Sequence, residues 1–230
     1  MNITEDDHAR IAAAVAKAEA ATSGEIRCVL TRETVNVPVV ALIGGASAAL
    51  VAPPIAIALG LKPDLLTGLF DGWTAAHASA AGAGLYSTLT VYILLQAVVF
   101  ALVAGIFMIR PFRRVLTGGP GSVGRVRRAA LEQFEALGLT HTRDKTGVLI
   151  FASLDDHRAE VLADSGIYQK TAPADWQGVA DLLVAGLGRK QPADGFVAAV
   201  EAAAGVLAEH FPRRDDDANE LPDGLVTRKR

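Results

Sequence analysis

The chain has one cysteine, Cys28, in 230 residues. That excludes an intramolecular disulfide framework and a cysteine-rich zinc site. Charged residues are scarce, at 20%, and aromatic ones make up 6%. The 22 basic residues are outnumbered by 25 acidic ones, for a formal charge of −3. The basic excess with which a general nucleic-acid binder neutralises phosphates is missing. Apolar residues are abundant instead, at 51%, and the mean hydropathy is +0.31. A value this high makes their distribution decisive, because pooled apolar residues mark membrane spans.

They are pooled. Val37 to Leu61 and Tyr86 to Ile109 contain no charged side chain. Each stretch is about 24 residues, or ~36 Å of helix at ~1.5 Å per residue, enough for a ~30 Å hydrocarbon core. Globular core helices of this length normally keep a polar face, which these stretches lack. Pro53-Pro54 predicts a kink or break in the first. Residues 62–85 form the connecting loop and hold a single basic residue, Lys62, whereas Arg110, Arg113, Arg114, Arg125, Arg127 and Arg128 follow the second span. The positive-inside rule therefore predicts a two-span membrane protein with both termini cytoplasmic and the short loop outside. The six arginines are candidates for contact with anionic lipid headgroups. In the loop, Leu65, Leu66, Leu69, Phe70 and Trp73 recur at helical spacing. They read as a short interfacial helix or as an irregular loop. Neither span contains Asp, Glu, Lys, Arg or His, so a self-contained ion or proton path is disfavoured. Small residues four apart (Gly44 with Ala48, Gly45 with Ala49, Ala101 with Gly105) permit close helix contact.

Outside the spans the pattern is α/β. Thr4-Glu-Asp-Asp opens a helix that buries Ile11, Val15 and Ala18, and Glu25 to Thr31 alternates as a strand. After a glycine-rich linker, Ser122 is placed to cap a helix over 123–137 with Val126, Ala130, Phe134 and Leu137 inward. Gly147 to Ser153 is a continuous apolar run, read as a strand buried on both faces, and Arg158 to Ala163 as its antiparallel return. Two further helices bury Trp176, Val179, Leu183 and Leu187, then Phe196, Val200, Ala203 and Leu207. The tail over 212–230 is polar and is expected to be unstructured. One helix and one strand before the spans cannot satisfy their own backbone, and a lone hairpin after them is marginal. The reading is one cytoplasmic domain, a small sheet flanked by helices, split into residues 1–32 and 117–211 by a transmembrane hairpin at 37–61 and 86–109.

Three segments resemble one family: Thr22-Ser-Gly-Glu-Ile26, where a helix ends and a strand opens, Thr142-Arg-Asp-Lys-Thr-Gly-Val-Leu-Ile150, and Val161-Leu-Ala-Asp-Ser-Gly-Ile167. In order and spacing they look like the TPM domain, over residues 3–31 and 121–211, and like its bacterial membrane members in particular. The resemblance implies an α/β sandwich-like domain, a place in the bacterial inner membrane, and a role in maintaining or assembling membrane complexes. Some family members are acid phosphatases, and some bind divalent cations through acidic loops. Thr146 stands where the family usually has Asn.

For chemistry, the carboxylates at the strand ends stand out. Asp144 and Asp164 fall at one end of the hairpin and are candidates for sharing Ca²⁺ or Mg²⁺, which prefer hard oxygen ligands. Asp155 and Asp156 fall at the other end. Ordinary turn residues are the competing explanation for all four. His141 and His157 with Arg143 and Arg158 are the side chains a phosphatase site would draw on, but no compact motif joins them. Cys28 lies on the apolar face of its strand and reads as a structural thiol. The sequence thus favours a non-enzymatic membrane module with a protein partner it does not identify, no nucleic acid, and a membrane-bound divalent-metal phosphatase as the alternative.

Overall fold

The computed structural model describes residues 3–32, 34, 37–60, 83–109, 112, 120–214, 221–222 and 224–228. In chain order the elements are α1 (Glu5–Glu19), β1 (Glu25–Thr31), α2 (Val37–Ala58), α3 (Ala83–Met108), α4 (Pro120–Ala136), β2 (Gly147–Ser153), β3 (Arg158–Ala163), α5 (Ser165–Tyr168), α6 (Pro173–Gly188), α7 (Pro192–His210) and β4 (Leu225–Arg228). Met1–Thr34 and Gly118–Arg230 form one compact unit; Val35–Thr117 forms another.

The first unit is an α/β domain around a four-stranded mixed sheet of order β3-β2-β1-β4. β1 runs parallel to β2, with Glu25 opposite Gly147 and Thr31 opposite Ser153. β2 and β3 are antiparallel, as the hairpin pattern predicts. Every residue of β1 and β2 is buried, because helices cover both faces. Ile26, Cys28, Leu30, Val148 and Ile150 point to a core shared with α1, α6 and α7, where Ile11, Trp176, Leu183, Phe196 and Leu207 pack. Val29, Leu149 and Phe151 point to the opposite core, with Val126, Ala130 and Phe134 of α4. The alternation seen in β1 therefore sorts side chains between two buried faces, an apolar one with Ile26, Cys28 and Leu30 and one where Val29 lies beside the buried polar Glu25, Arg27 and Thr31.

Local chemistry sets the element ends. Thr4 and Asp7 close a capping box on α1: the Asp7 N–H donates to Thr4 Oγ1 at 3.2 Å and the Thr4 N–H donates to the Asp7 carboxylate at 3.0 Å. The Thr4 N–H and the Thr4 hydroxyl, both donating to it, hold the Asp7 carboxyl below its ordinary range. α4 begins at Pro120, which has no N–H for a helix start to orphan. Ser122 thus lies inside the first turn and does not cap it; its Oγ accepts from Arg158 Nε at 2.7 Å, tying α4 to the start of β3. Gly138, at φ +76°, takes the left-handed conformation that ends the helix. α6 and α7 approach so closely that a Cβ at Gly186 would fall on the Cα of Gly195.

The tail departs from the expectation of an unstructured 212–230. Leu225–Arg228 is β4, parallel to β1 with Cys28 opposite Leu225 and Thr31 opposite Arg228, and Pro212 bridges Thr22. The physical reason is the vacant edge of β1. Without β4, its backbone groups would face no partner, and a short β-prone run, Leu-Val-Thr, supplies one.

In the second unit, α2 and α3 are both long and apolar enough to cross a membrane. α2 continues unbroken through Pro53 and Pro54, so the expected break does not occur. Ala41, Gly45, Ala49 and Pro53, one every four residues, are its buried residues. A Cβ at Gly44 would meet the Phe107 ring at 2.5 Å, and one at Gly45 the Phe100 ring at 2.9 Å, so small residues on α2 admit aromatic ones from α3. Gly105 meets nothing within 4 Å, so the Ala101/Gly105 pair is not part of this seam. The interfacial helix expected around Trp73 lies outside the described residues.

Candidate ligand-binding cleft

The three parallel strands end together, at Thr31, Ser153 and Arg228. Open α/β sheets characteristically hold ligands beyond the carboxyl ends of their strands. Here the chain past β1 folds over the β2–β3 turn: the Leu154 N–H donates to the Thr31 carbonyl at 3.0 Å and the Asp155 N–H to the Arg32 carbonyl at 2.8 Å. Asp156 anchors the corner. Its Oδ2 accepts from Ser153 Oγ at 2.6 Å and from Thr34 Oγ1 at 2.7 Å. Its Oδ1 lies 3.7 Å from the Arg125 guanidinium of α4.

Between this corner and α4 lies a cleft of about 220 Å³. Its floor is Thr31 and Phe151, with Thr34 at one side. One wall is the α4 face of Arg125, Arg128, Ala129, Glu132 and Gln133, spaced i, i+3, i+4, i+7 and i+8; β4 contributes Arg228. Among the described residues, three guanidiniums line the cleft against one carboxylate, on a chain whose formal charge is −3. Arg128 and Arg228 are exposed, and neither forms an ion pair with another described residue. Gln133 is only 7% exposed, and its Oε1 is buried without a hydrogen-bond partner.

The residues singled out in the sequence are dispersed. Arg127 is paired with Glu160 of β3 at 2.7 Å, whereas Arg125 and Arg128 line the cleft. Arg110, Arg113 and Arg114 lie outside the described residues. Asp144, exposed before β2, pairs with Arg214. Asp164 is the cap of α5, its Oδ1 accepting from the Ser165 N–H at 2.5 Å. The two loops do touch: a Cβ at Gly166 would meet the Asp144 carbonyl oxygen at 2.5 Å. Among the described residues, no group of three or more His, Cys, Asp or Glu side chains is placed to hold a metal ion. His141 precedes β2 and His157 lies in the turn after it, at φ +49°. Seven strand residues at ~3.3 Å each put them roughly 20 Å apart, too far to share one reacting group. Arg158 is bound to Ser122. Cys28 is fully buried, and desolvation pushes its thiol up to about 12. A maleimide at neutral pH should leave Cys28 unmodified in the folded protein and label it once denaturant is added; labelling at the same rate in both states would contradict this burial.

Sequence reasoning missed Thr31, Thr34, Gln133, Phe151 and Arg228 as a group. One signal was available: Gln133 interrupts the inward apolar stripe of α4 beside Ala130 and Phe134.

No family model matches the chain, and no curated protein does. Among solved structures it is similar to the NMR structure of BA42 protein from the psychrophilic bacterium Bizionia argentinensis, with a TM-score of 0.55 and 17% sequence identity over 99% of this chain and 96% of that one. At this identity the likeness is one of fold.

Proposed function

We propose that the chain is a membrane-anchored binding module of the TPM type, holding its ligand at the carboxyl edge of the sheet and serving the maintenance or assembly of a membrane complex. The observation that carries this reading is the place of β1. It precedes the two apolar helices in sequence, yet lies in the middle of the sheet between β2 and β4. Hydrogen bonding of β1 to β2 requires both flanks of the hairpin to reach the same compartment, which an even number of crossings provides. The excess of arginine after the second span supports a cytoplasmic side for that compartment. The cleft supplies positive charge and hydrogen-bond donors. The cluster around Asp156, held by two hydroxyls and an arginine, fixes the corner beside the cleft.

Single cysteines at Asp6 on α1 and Glu201 on α7, both exposed, test the arrangement, since native Cys28 is buried. Both positions should resist a membrane-impermeant maleimide in intact cells and react after permeabilisation. Labelling of one position and not the other in intact cells would overturn the reading.

A further inference from the structure

We propose that the cleft between α4 and the carboxyl edge of the sheet is a binding site for a phosphate group, an inference that rests on the binding-module reading and names its ligand class. Size comes first. Pockets for drug-sized ligands and cofactors run to roughly 300–1,000 Å³. A cleft of about 220 Å³ suits one small polar group, not a dinucleotide.

Charge comes next. Arg125, Arg128 and Arg228 approach from a helix and a strand far apart in sequence, so their convergence is a product of the fold and not of a basic run. Arg125 lies 3.7 Å from Asp156 Oδ1, so Arg128 and Arg228, exposed and without an ion pair to another described residue, are the guanidiniums offered to a ligand. Valence then selects the anion. Each guanidinium is a planar fork of N–H donors and no acceptors. A carboxylate presents two oxygens in one plane, whereas a phosphate monoester presents three terminal oxygens around a tetrahedral centre, which suits donors converging from a helix and a strand. Gln133 also lines the cleft and brings a neutral amide, whose NH₂ is a donor type, beside the guanidiniums.

The phosphate can belong to a lipid headgroup or to a free ester. Titration of the detergent-solubilised full chain with inorganic phosphate and with dihexanoyl phosphatidic acid, by calorimetry, separates the two. Saturable binding is expected, weakened at least about tenfold by Arg128→Gln and by Arg228→Gln, both exposed and so tolerant of the change. Glu132→Gln, which removes the like charge from the wall, should tighten binding several-fold. Arg127→Gln, whose side chain is held by Glu160 outside the cleft, should leave it unchanged. Phosphatidic acid binding tenfold or more above inorganic phosphate assigns the lipid source; comparable affinity assigns a free ester. Absence of heat with both ligands, or binding indifferent to Arg128→Gln and Arg228→Gln, overturns the proposal. If it fails while the cysteines at positions 6 and 201 report one compartment, the ligand falls and the membrane-anchored module stands.

Discussion

Phe196→Ala is expected to lower the stability of the α/β domain by about 3–5 kcal/mol, the cost of deleting a buried aromatic ring and leaving the cavity. Phe196 has no exposed surface and is among the largest fully buried side chains. It belongs to the α7 stripe with Val200, Ala203 and Leu207, which packs over the β1 and β2 side chains Cys28 and Ile150. The neighbouring Gly195 meets Gly186 backbone to backbone, so α6 and α7 are already in contact and have little room to close a void. Domain stabilities are about 5–15 kcal/mol, so this one change removes a large share. The melting midpoint should fall on the order of 10 °C. Leu182→Ala on α6, at a position 42% exposed, provides the contrast, with an effect within about 0.5 kcal/mol. A thermal melt of both variants decides it: if Phe196→Ala shifts the midpoint no more than Leu182→Ala does, the core is not where α7 puts it.

The parts of the fold legible in the sequence were those written in local periodicity. The strands at Glu25–Thr31, Gly147–Ser153 and Arg158–Ala163 are apolar runs or alternations bounded by turn residues, and they form where the pattern puts them. The buried faces of α1, α6 and α7 follow from 3.6-residue spacing in the same way. What local pattern could not carry was partner choice at a distance. β4 is four residues inside a polar tail, and only the unsatisfied edge of β1, some two hundred positions earlier, makes it a strand. The cleft was hidden for the same reason. Its lining comes from β1 and the residues after it, from α4, from β2 and from β4, and only the α4 portion is a helical face that spacing can reveal. Asp144 and Asp164, at the amino edge of the parallel strands, are more conspicuous, because carboxylates clustered near turns show in one dimension. Asp156 reads as a turn residue and does sit in the turn; its role as the anchor of Thr34, Ser153 and Arg125 exists only in three dimensions.

Val29→Pro should be nearly as damaging, and it bears on the split architecture directly. Val29 is fully buried in β1, opposite Phe151 on one side and Val226 on the other. Proline removes a ladder N–H and leaves its acceptor buried and unpaired, at about 1–3 kcal/mol. Its ring also has to fit a strand buried on both faces, at about another 1–3 kcal/mol. Proline is confined to edges and bulges of sheets for these reasons. The informative readout lies far along the chain. Trp176 on α6 is 4% exposed, and its Nε1 donates to Thr171 Oγ1 at 2.9 Å, so its emission reports the core formed by residues after the hairpin. In a Trp73→Phe background Trp176 is the sole tryptophan, since the chain has two. Denaturant titration followed by this signal should show the midpoint falling by the equivalent of about 4 kcal/mol, with one cooperative transition. That outcome requires a strand before the apolar helices to support a helix after them. A Trp176 transition that stays at the wild-type midpoint would mean that the later segment folds without β1, and the proposed reason for both flanks sharing a compartment would go with it.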